Sequence, residues 1–488
     1  MLLRRWILLS LVVALSLLDG AAGAGIRGGE RPRIERSWNR PGRARIRPGR
    51  QRPPRRAIRR QASLRPARRA QPTARLLASP AASASARLDL IRSAQGEINT
   101  SAYIFGDDRV GRIALAELRT AARAGRRVRL LLDAAGSGLS RAALAHLLDE
   151  GIEVGIYNRF RAGKLLRPVS LTYRLHDKLL IVDGEHLVLG GRNVEEGYFG
   201  FSRPGYSHFD DVDAYAHGEP AASANRYFMD LWNGPLVERL RREDLRVSEK
   251  RVTRYRSEVD RAERMSARPR FESFRARWRQ EPSARLGKVE FVHEDPHRLA
   301  NAVPRTQRRL LRVIDEAESE VEIHTPYLVP DRDLLGAIAR ARERGVAVRF
   351  VTNSLSNARG HELLAQWAYE SQLRALAAAG AEVWEVKGPR VMHAKTVVAD
   401  RRHVYIGSFN MDQRSRRLQK ETGILADSPE LAASTLEHGA TLRQGGLLAA
   451  RGGQLTAMKR QQCGRACRFF ARFIYGPLSK VTGLYGQL

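Results

Sequence analysis

The sequence predicts an α/β protein built from two tandem copies of one domain. Three observations carry the prediction. Strand-like and helical stretches alternate from about residue 86 onward, the pattern of layered sheet and helix. The same order of elements occurs twice. Short strings also match between the copies: Gly151-Ile152-Glu153-Val154 with Gly380-Ala381-Glu382-Val383, and Ala124-Gly125-Arg126-Arg127-Val128-Arg129 with Arg344-Gly345-Val346-Ala347-Val348-Arg349.

In the first copy, Ile98 to Phe105 reads as a strand and Val110 to Ala124 has helical apolar spacing. Val128 to Leu132 is a buried strand, Arg141 to Leu148 a helix and Ile152 to Tyr157 a strand. In the second copy, Val321 to His324 is a strand and Leu334 to Arg344 a helix. Val346 to Val351 is a strand, Glu362 to Ala379 a helix and Ala381 to Val386 a strand. Between the copies, Val247 to Leu286 is charged and helical in tendency, although Ser266 to Arg285 shows no clear period. The expected boundaries are 81–246 and 287–450 for the two domains, with 247–286 as connector.

The ends of the chain differ in kind. Arg4 and Arg5, the apolar run Ile7 to Leu18 and the small residues Ala22-Gly23-Ala24 read as a signal peptide over 1–24. That apolar run is shorter than the ~20 residues that span a bilayer. The arginine pair faintly resembles a twin-arginine signal. Residues 25–80 are rich in Arg and Pro without apolar period, which predicts a disordered linker. From Gly25 to Arg75 there are 18 arginines against Glu30 and Glu35, about half of the chain's net charge of +33. A solvated linker and a tether to an anionic membrane surface are both open readings. At the other end, 451–488 reads as a basic amphipathic segment: Lys459, Arg460, Arg465, Arg468 and Arg472 interleave with Phe469, Phe470, Phe473 and Tyr475. Cys463 and Cys467 are the only cysteines, too few for a disulfide framework or a four-ligand zinc site.

The chemistry lies in a doubled motif. His176-Asp177-Lys178 is followed by Asp183 and by Gly190-Gly191-Arg192-Asn193. His393-Ala394-Lys395 is followed by Asp400 and by Gly407-Ser408-Phe409-Asn410. His to Lys is two residues, Lys to Asp five and His to Asn 17 in both copies. On a strand, His176, Lys178 and Leu180 would share one face. Lys supplies fixed positive charge, His can attack phosphorus or pass a proton near neutral pH, and Asn offers amide donors. Asp183-Gly184 is a hairpin-type turn. One His-x-Lys would mean little, but two copies with matched flanks point to phosphodiester chemistry at a single site.

These residues resemble the phospholipase D superfamily, whose motif His-x-Lys-x4-Asp-x6-Gly-Gly/Ser-x-Asn both copies match in full over about residues 86–450. Tyr103-Ile104-Phe105 with Asp107-Asp108, Thr325 to Asp331, and Gly407 to Ser415 resemble bacterial two-motif cardiolipin synthases more closely. Gln419-Lys420-Glu421 departs from that group's Asn-x-Glu but keeps the acid. The resemblance implies two tandem phospholipase D-like domains, each a mixed β-sheet flanked by helices. They would pack as a pseudo-twofold pair with one active site at the interface, so that a monomer can be complete. It also implies two-step phosphatidyl transfer, with His176 as nucleophile and His393 as acid and base, roles that could be exchanged. Lys178, Lys395, Asn193 and Asn410 would hold phosphate oxygens. Asp211 and Glu421 would orient the imidazoles, with Ser408 adding a hydrogen bond. Asp183 and Asp400 belong to the motif but read as structural. No metal or other cofactor is implied.

The implied activity is a phosphatidyltransferase making cardiolipin from phospholipids, phosphatidylglycerol among them, at an anionic membrane surface on the periplasmic side of a bacterial envelope. Hydrolysis, with water as acceptor, is the alternative at the same site. A nuclease of the same superfamily is a second alternative, which the basic charge favours superficially. The export signal and the placing of much of that charge in the linker argue against nucleic acid as partner. A non-catalytic binding protein would require two intact motifs to be idle.

Overall fold

The computed structural model describes residues 71–160, 172–201, 208–301, 304–358 and 362–462. The signal-peptide and most of the linker assignments, the two cysteines and residues 463–488 lie outside these.

Two nine-stranded mixed sheets form the core. The first runs, edge to edge, Val237–Arg239, Glu153–Tyr157, Arg127–Asp133, Glu97–Ala102, Leu179–Val182, His186–Gly190, Asp213–His217, Thr73–Leu77 and Ala284–Arg285. The second runs Gln454–Leu455, Leu447–Arg451, Glu382–Val386, Ala347–Asn353, Glu320–His324, Thr396–Ala399, His403–Gly407, Thr422–Asp427 and Val289–His293. Matched from the motif strand outward, the two orders follow the same course. In each, three strands beginning with the first predicted one are mutually parallel, and the strand carrying the motif joins them antiparallel.

The sequence explains the local choices. Arg127–Asp133 is buried along all but its first residue, as a central strand covered on both faces must be. The strand-to-helix corners are capped by matched acids. Asp108 accepts from the Gly111 amide at the start of helix Arg109–Arg123, and Asp331 from the Leu334 amide at the start of Arg332–Glu343. Each motif aspartate closes a turn. Asp183 (φ 54°) and Asp400 (φ 51°) adopt left-handed backbone, which Asp tolerates better than most residues. Their carboxylates accept amides from Gln95, Gly96 and Glu97, and from Glu318, Ser319 and Glu320. They tie the end of the motif strand to the start of the first parallel strand. Counted among the catalytic set by the motif, they are structural in place and partners.

The two sheets share one core. Leu179, Ile181, Leu187 and Leu189 of the first half pack in the same buried cluster as Val398, Val404, Ile406 and Ile424 of the second. Each half has a further core beneath its outer helices. The interface therefore buries apolar surface of the strands that carry the motifs, and apolar burial of this kind is worth roughly 25 cal/mol per Å².

Several boundaries differ from the sequence reading. Thr73–Leu77 is a full strand of the first sheet, within the Arg-rich run assigned to the linker. Its buried residues Ala74, Leu76 and Leu77 supply the apolar contacts. Residues 247–286 pack on the first half: helix Glu249–Ser266 buries Val252, Tyr255, Val259 and Ala262, and its Asp260 and Glu263 hold the buried Arg119. Ala284–Arg285 completes the first sheet. Gln454–Leu455 extends the second sheet past residue 450. Lys459, placed by the sequence in a basic amphipathic segment, is buried, 2.6 Å from Glu370 and 2.5 Å from Glu385.

Candidate active site

The motif strands do not run straight through the sites they carry. Strand Arg174–Leu175 ends before His176, and the main sheet resumes at Leu179. Arg390–Met392 ends before His393, and the sheet resumes at Thr396. The expected single strand through His176, Lys178 and Leu180 is thus interrupted. The reason is that each lead-in pairs with the other half of the molecule. Arg174–Leu175 lies parallel to Gln419–Lys420, and Arg390–Met392 lies parallel to His208–Asp210. The pairing continues into the motif: the His176 amide donates to the Lys420 carbonyl at 3.0 Å and the His393 amide to the Asp210 carbonyl at 2.6 Å.

The lead-ins are held from below by matched polar residues at the ends of the third strands. Asp133 accepts from the Leu175 amide and from Arg174. Asn353 accepts from the Met392 amide and donates to the Met392 carbonyl. The residue following each foreign strand is an acid. Glu421 is therefore delivered to His176, its carboxylate 3.0 Å from Nδ1, and Asp211 to His393, 2.6 Å from Nδ1. The acids exchange between halves. Sheet register confirms that they are counterparts: Gly190 pairs with Asp213 and Gly407 with Gly423, and each acid stands two residues earlier. A surface position for Asp211 is excluded, since it is fully buried.

His176, Lys178, Asn193, His393, Lys395, Asn410, Ser408, Asp211 and Glu421 are all at most 6% exposed. The carboxylates hold the imidazoles with Nδ1–H inward and leave Nε2 for chemistry. Lys395 Nζ also lies 2.7 Å from His393 Nδ1. That contact opposes an Nδ1–H on His393, and the Asp211 carboxylate 2.6 Å from the same nitrogen favours it. Ser408 donates to Glu421, and Ser415 donates to its other oxygen at 2.6 Å. Among the described residues no serine bonds Asp211; its Oδ1 accepts from the Val212 amide at 2.8 Å.

Burial and the two lysines set the protonation states. Burial, with Lys178 and Lys395, holds His176 well below the ordinary imidazole range. Burial and Lys395 bring His393 down to about 3 against the pull of Asp211. Burial lowers Lys178 to about 8 and Lys395 to about 7. Burial lifts Glu421 to about 7. Burial also pushes Asp211 up, but Lys395 and His393 outweigh it and hold that carboxyl below its ordinary range. Each imidazole feels the other half's lysine as well as its own, which places all four groups in one electrostatic site. Two buried lysines in such a site are costly to keep charged, and a phosphodiester anion would relieve that cost.

Three contacts lay outside the sequence reading. Tyr198 accepts a hydrogen bond from Asn193 Nδ2 at 3.0 Å and lies 3.5 Å from His393 Nε2. Asn193 therefore commits one amide proton to Tyr198. Phe209 sets its ring against His393. Ser415, quoted in the resembling stretch without a role, braces Glu421 and takes the Asn410 amide. Nothing local marks Tyr198, which sits on a short turn of helix at Glu196–Tyr198. Tyr103 meets the edge of His176 at 5.1 Å, and Tyr327 meets His393 at 6.3 Å, which gives the two resembling tyrosines equivalent places.

Paired histidines and lysines from two copies of one fold, meeting in a buried site, define the phospholipase D class of protein. The family described as "Cardiolipin synthase, PLD-like domain" matches residues 88–232 and 310–438, and the chain belongs to it. Among curated relatives, cardiolipin synthase C of Escherichia coli K12 is 29% identical over 71% of this chain and 80% of its own length. A cardiolipin synthase of Clostridium perfringens strain 13 is 25% identical over 72% of this chain and 66% of its own. Among solved structures, the phosphatidylserine synthase of Haemophilus influenzae Rd KW20 matches with a TM-score of 0.61 at 17% identity. That match covers 86% of this chain and 98% of the other, a likeness of fold.

Gly191 has no room for a side chain: a Cβ there would lie 2.3 Å from the Asp211 carboxylate. Gly191→Ala is expected to displace Asp211 and lower kcat on the order of 100-fold. Ser408→Ala, which removes one of two serine hydroxyls on Glu421, is expected to cost about tenfold. Steady-state kinetics on folded variants checks both, and a Gly191→Ala enzyme of full activity would contradict the placing of Asp211.

Proposed function

We propose that the chain joins two phospholipids to make cardiolipin by phosphatidyl transfer through a phosphohistidine. The observation that carries this reading is the exchanged pair of carboxylate–imidazole dyads, which gives one site two imidazoles held through Nδ1 beside two lysines. Family membership supplies the phosphatidyl group as the unit transferred.

In the first step, His176 Nε2 attacks phosphorus and the bond to the departing alcohol breaks. His393 gives its Nε2 proton to that oxygen. In the second step, the hydroxyl of a phosphatidylglycerol headgroup gives its proton to His393. Its oxygen attacks phosphorus, and the phosphorus–nitrogen bond breaks. Two phosphatidylglycerols would yield cardiolipin and glycerol. Lys178, Lys395 and the amides of Asn193 and Asn410 stabilise the charge developing on the non-bridging oxygens. In the empty site His393 is neutral; the bound phosphodiester anion opposes the lysine charges and raises its proton affinity, so substrate prepares its own acid. Asp211 works in the same direction.

The reading extends to an exported, membrane-associated enzyme of the bacterial envelope, supported by the N-terminal arginines, apolar run and small-residue site. Among the described residues no helix is long and apolar enough to cross a membrane.

Purified protein given phosphatidylglycerol is expected to form cardiolipin. Phosphatidic acid alone would indicate hydrolysis, and nicked plasmid with untouched lipid would overturn both. With radiolabelled lipid, His176→Ala is expected to form no phosphoenzyme and His393→Ala to accumulate one; an adduct in His176→Ala would reverse the roles. The pH profile follows from the lysines. As pH rises through about 7 and about 8, Lys395 and Lys178 lose their protons and their hold on the phosphate. We expect kcat/KM to fall above that range; a profile level to pH ~10 would contradict the lysine assignment.

A further inference from the structure

A cavity of about 600 Å³ lies in the first half, within the roughly 300–1,000 Å³ of ordinary ligand sites. Helices Pro80–Ser93 and Arg109–Arg123 wall it with Ala84, Leu88, Ile91, Ile113, Ala114 and Leu118. Phe199, Phe201 and Phe274 line it as well, and Phe201 is 40% exposed. Lys178 and, on the strand that follows it, Leu180 also line the cavity. The Lys178 ammonium donates to the His176 carbonyl at 2.7 Å, so one residue of the catalytic set borders the apolar space.

The inner end is polar and incompletely satisfied. Arg192 is wholly buried, with Nη1 on the Leu77 carbonyl and Nη2 on those of Ala78 and Asp211, but its Nε has no partner among the described residues. Arg87 holds Asp213 through Nη2, and its Nη1 likewise has none among them. Ser101 Oγ is a third such buried polar atom. All three residues line the cavity. Buried donors are seldom left unpaired unless something else meets them. At the place of Arg192 the second half has Phe409, packed into its own apolar core.

We propose that this cavity takes one acyl chain of the phospholipid whose phosphate is attacked by His176. The tail lies between the two helices, with Arg192 and Arg87 in the polar part of the lining. An apolar slot with a few donors at its inner end, continuous with a phosphate-binding lysine, matches the order of groups along such a lipid. The assignment rests on the phospholipid reading above. It gives the two halves different tasks: the first holds the donor lipid by its chain as well as its phosphate.

Ala84→Phe and Ala114→Phe fill the slot from different helices. With phosphatidylglycerols of short (hexanoyl) and long (oleoyl) chains, the ratio of short-chain to long-chain kcat/KM is expected to rise roughly tenfold or more in each variant, the loss of about two buried methylenes. Binding of a phospholipid with a fluorescent parinaroyl chain is read alongside on the full-length wild type and both variants, with thermal melting to confirm folding. Weakened parinaroyl binding in either folded variant supports the proposal. An unchanged ratio with unchanged binding overturns it, as does a wild type that binds no parinaroyl lipid. A wild type that binds this lipid but transfers no phosphatidyl group would keep the pocket and overturn the reaction proposed above.

Discussion

The structure depends on two short parallel strand pairs that cross between the halves. The backbone bonds from His176 to Lys420 and from His393 to Asp210 fix each histidine against a segment of the opposite domain. The residue after each segment is the acid that orients that histidine. Neither half holds a complete dyad by itself: the first contributes His176 and Asp211, the second His393 and Glu421. Docking of the halves and assembly of the site are thus one event, secured by the apolar core shared between the sheets. A shift of either pair by one residue would turn the acid to the other face of its strand.

The same burial sets the electrostatics. Two ammonium groups, two imidazoles and two carboxyls stand almost without solvent. Burial lowers both histidines and both lysines and raises Glu421, while Asp211 is held anionic by Lys395 and His393. The dyads are therefore unlike. Glu421 shares its charge with Ser408 and Ser415, whereas Asp211 faces its histidine and lysine more directly. This asymmetry is a physical basis for different roles in an otherwise repeated site.

Much of this was legible in the sequence because it is local and repeated. The doubled motif, its spacing and the order of strands and helices all lie in patterns of a few residues, whereas the acids Asp211 and Glu421 came only from the family resemblance. What was not legible depends on pairing at long range. No spacing shows that Glu421 serves His176 rather than His393, or that the motif strand breaks at 176–178 to reach another domain. The strand Thr73–Leu77 was hidden because its apolar residues Ala74, Leu76 and Leu77 follow an arginine-rich run whose composition dominates any window. Helix Glu249–Ser266 carried its apolar stripe openly, but only the structure shows that the stripe and the acids Asp260 and Glu263 belong to the first half. Tyr198 reaches His393 through folding alone.

The exchange of acids between halves is tested most directly by nitrogen-15 NMR of selectively labelled histidine imidazoles in the folded enzyme. Glu421→Gln should shift the ring-nitrogen signals of His176 and leave those of His393 nearly in place, and Asp211→Asn should do the reverse. If Glu421→Gln instead moved the signals of His393 and spared those of His176, each half would be orienting its own histidine, and the exchange would be contradicted.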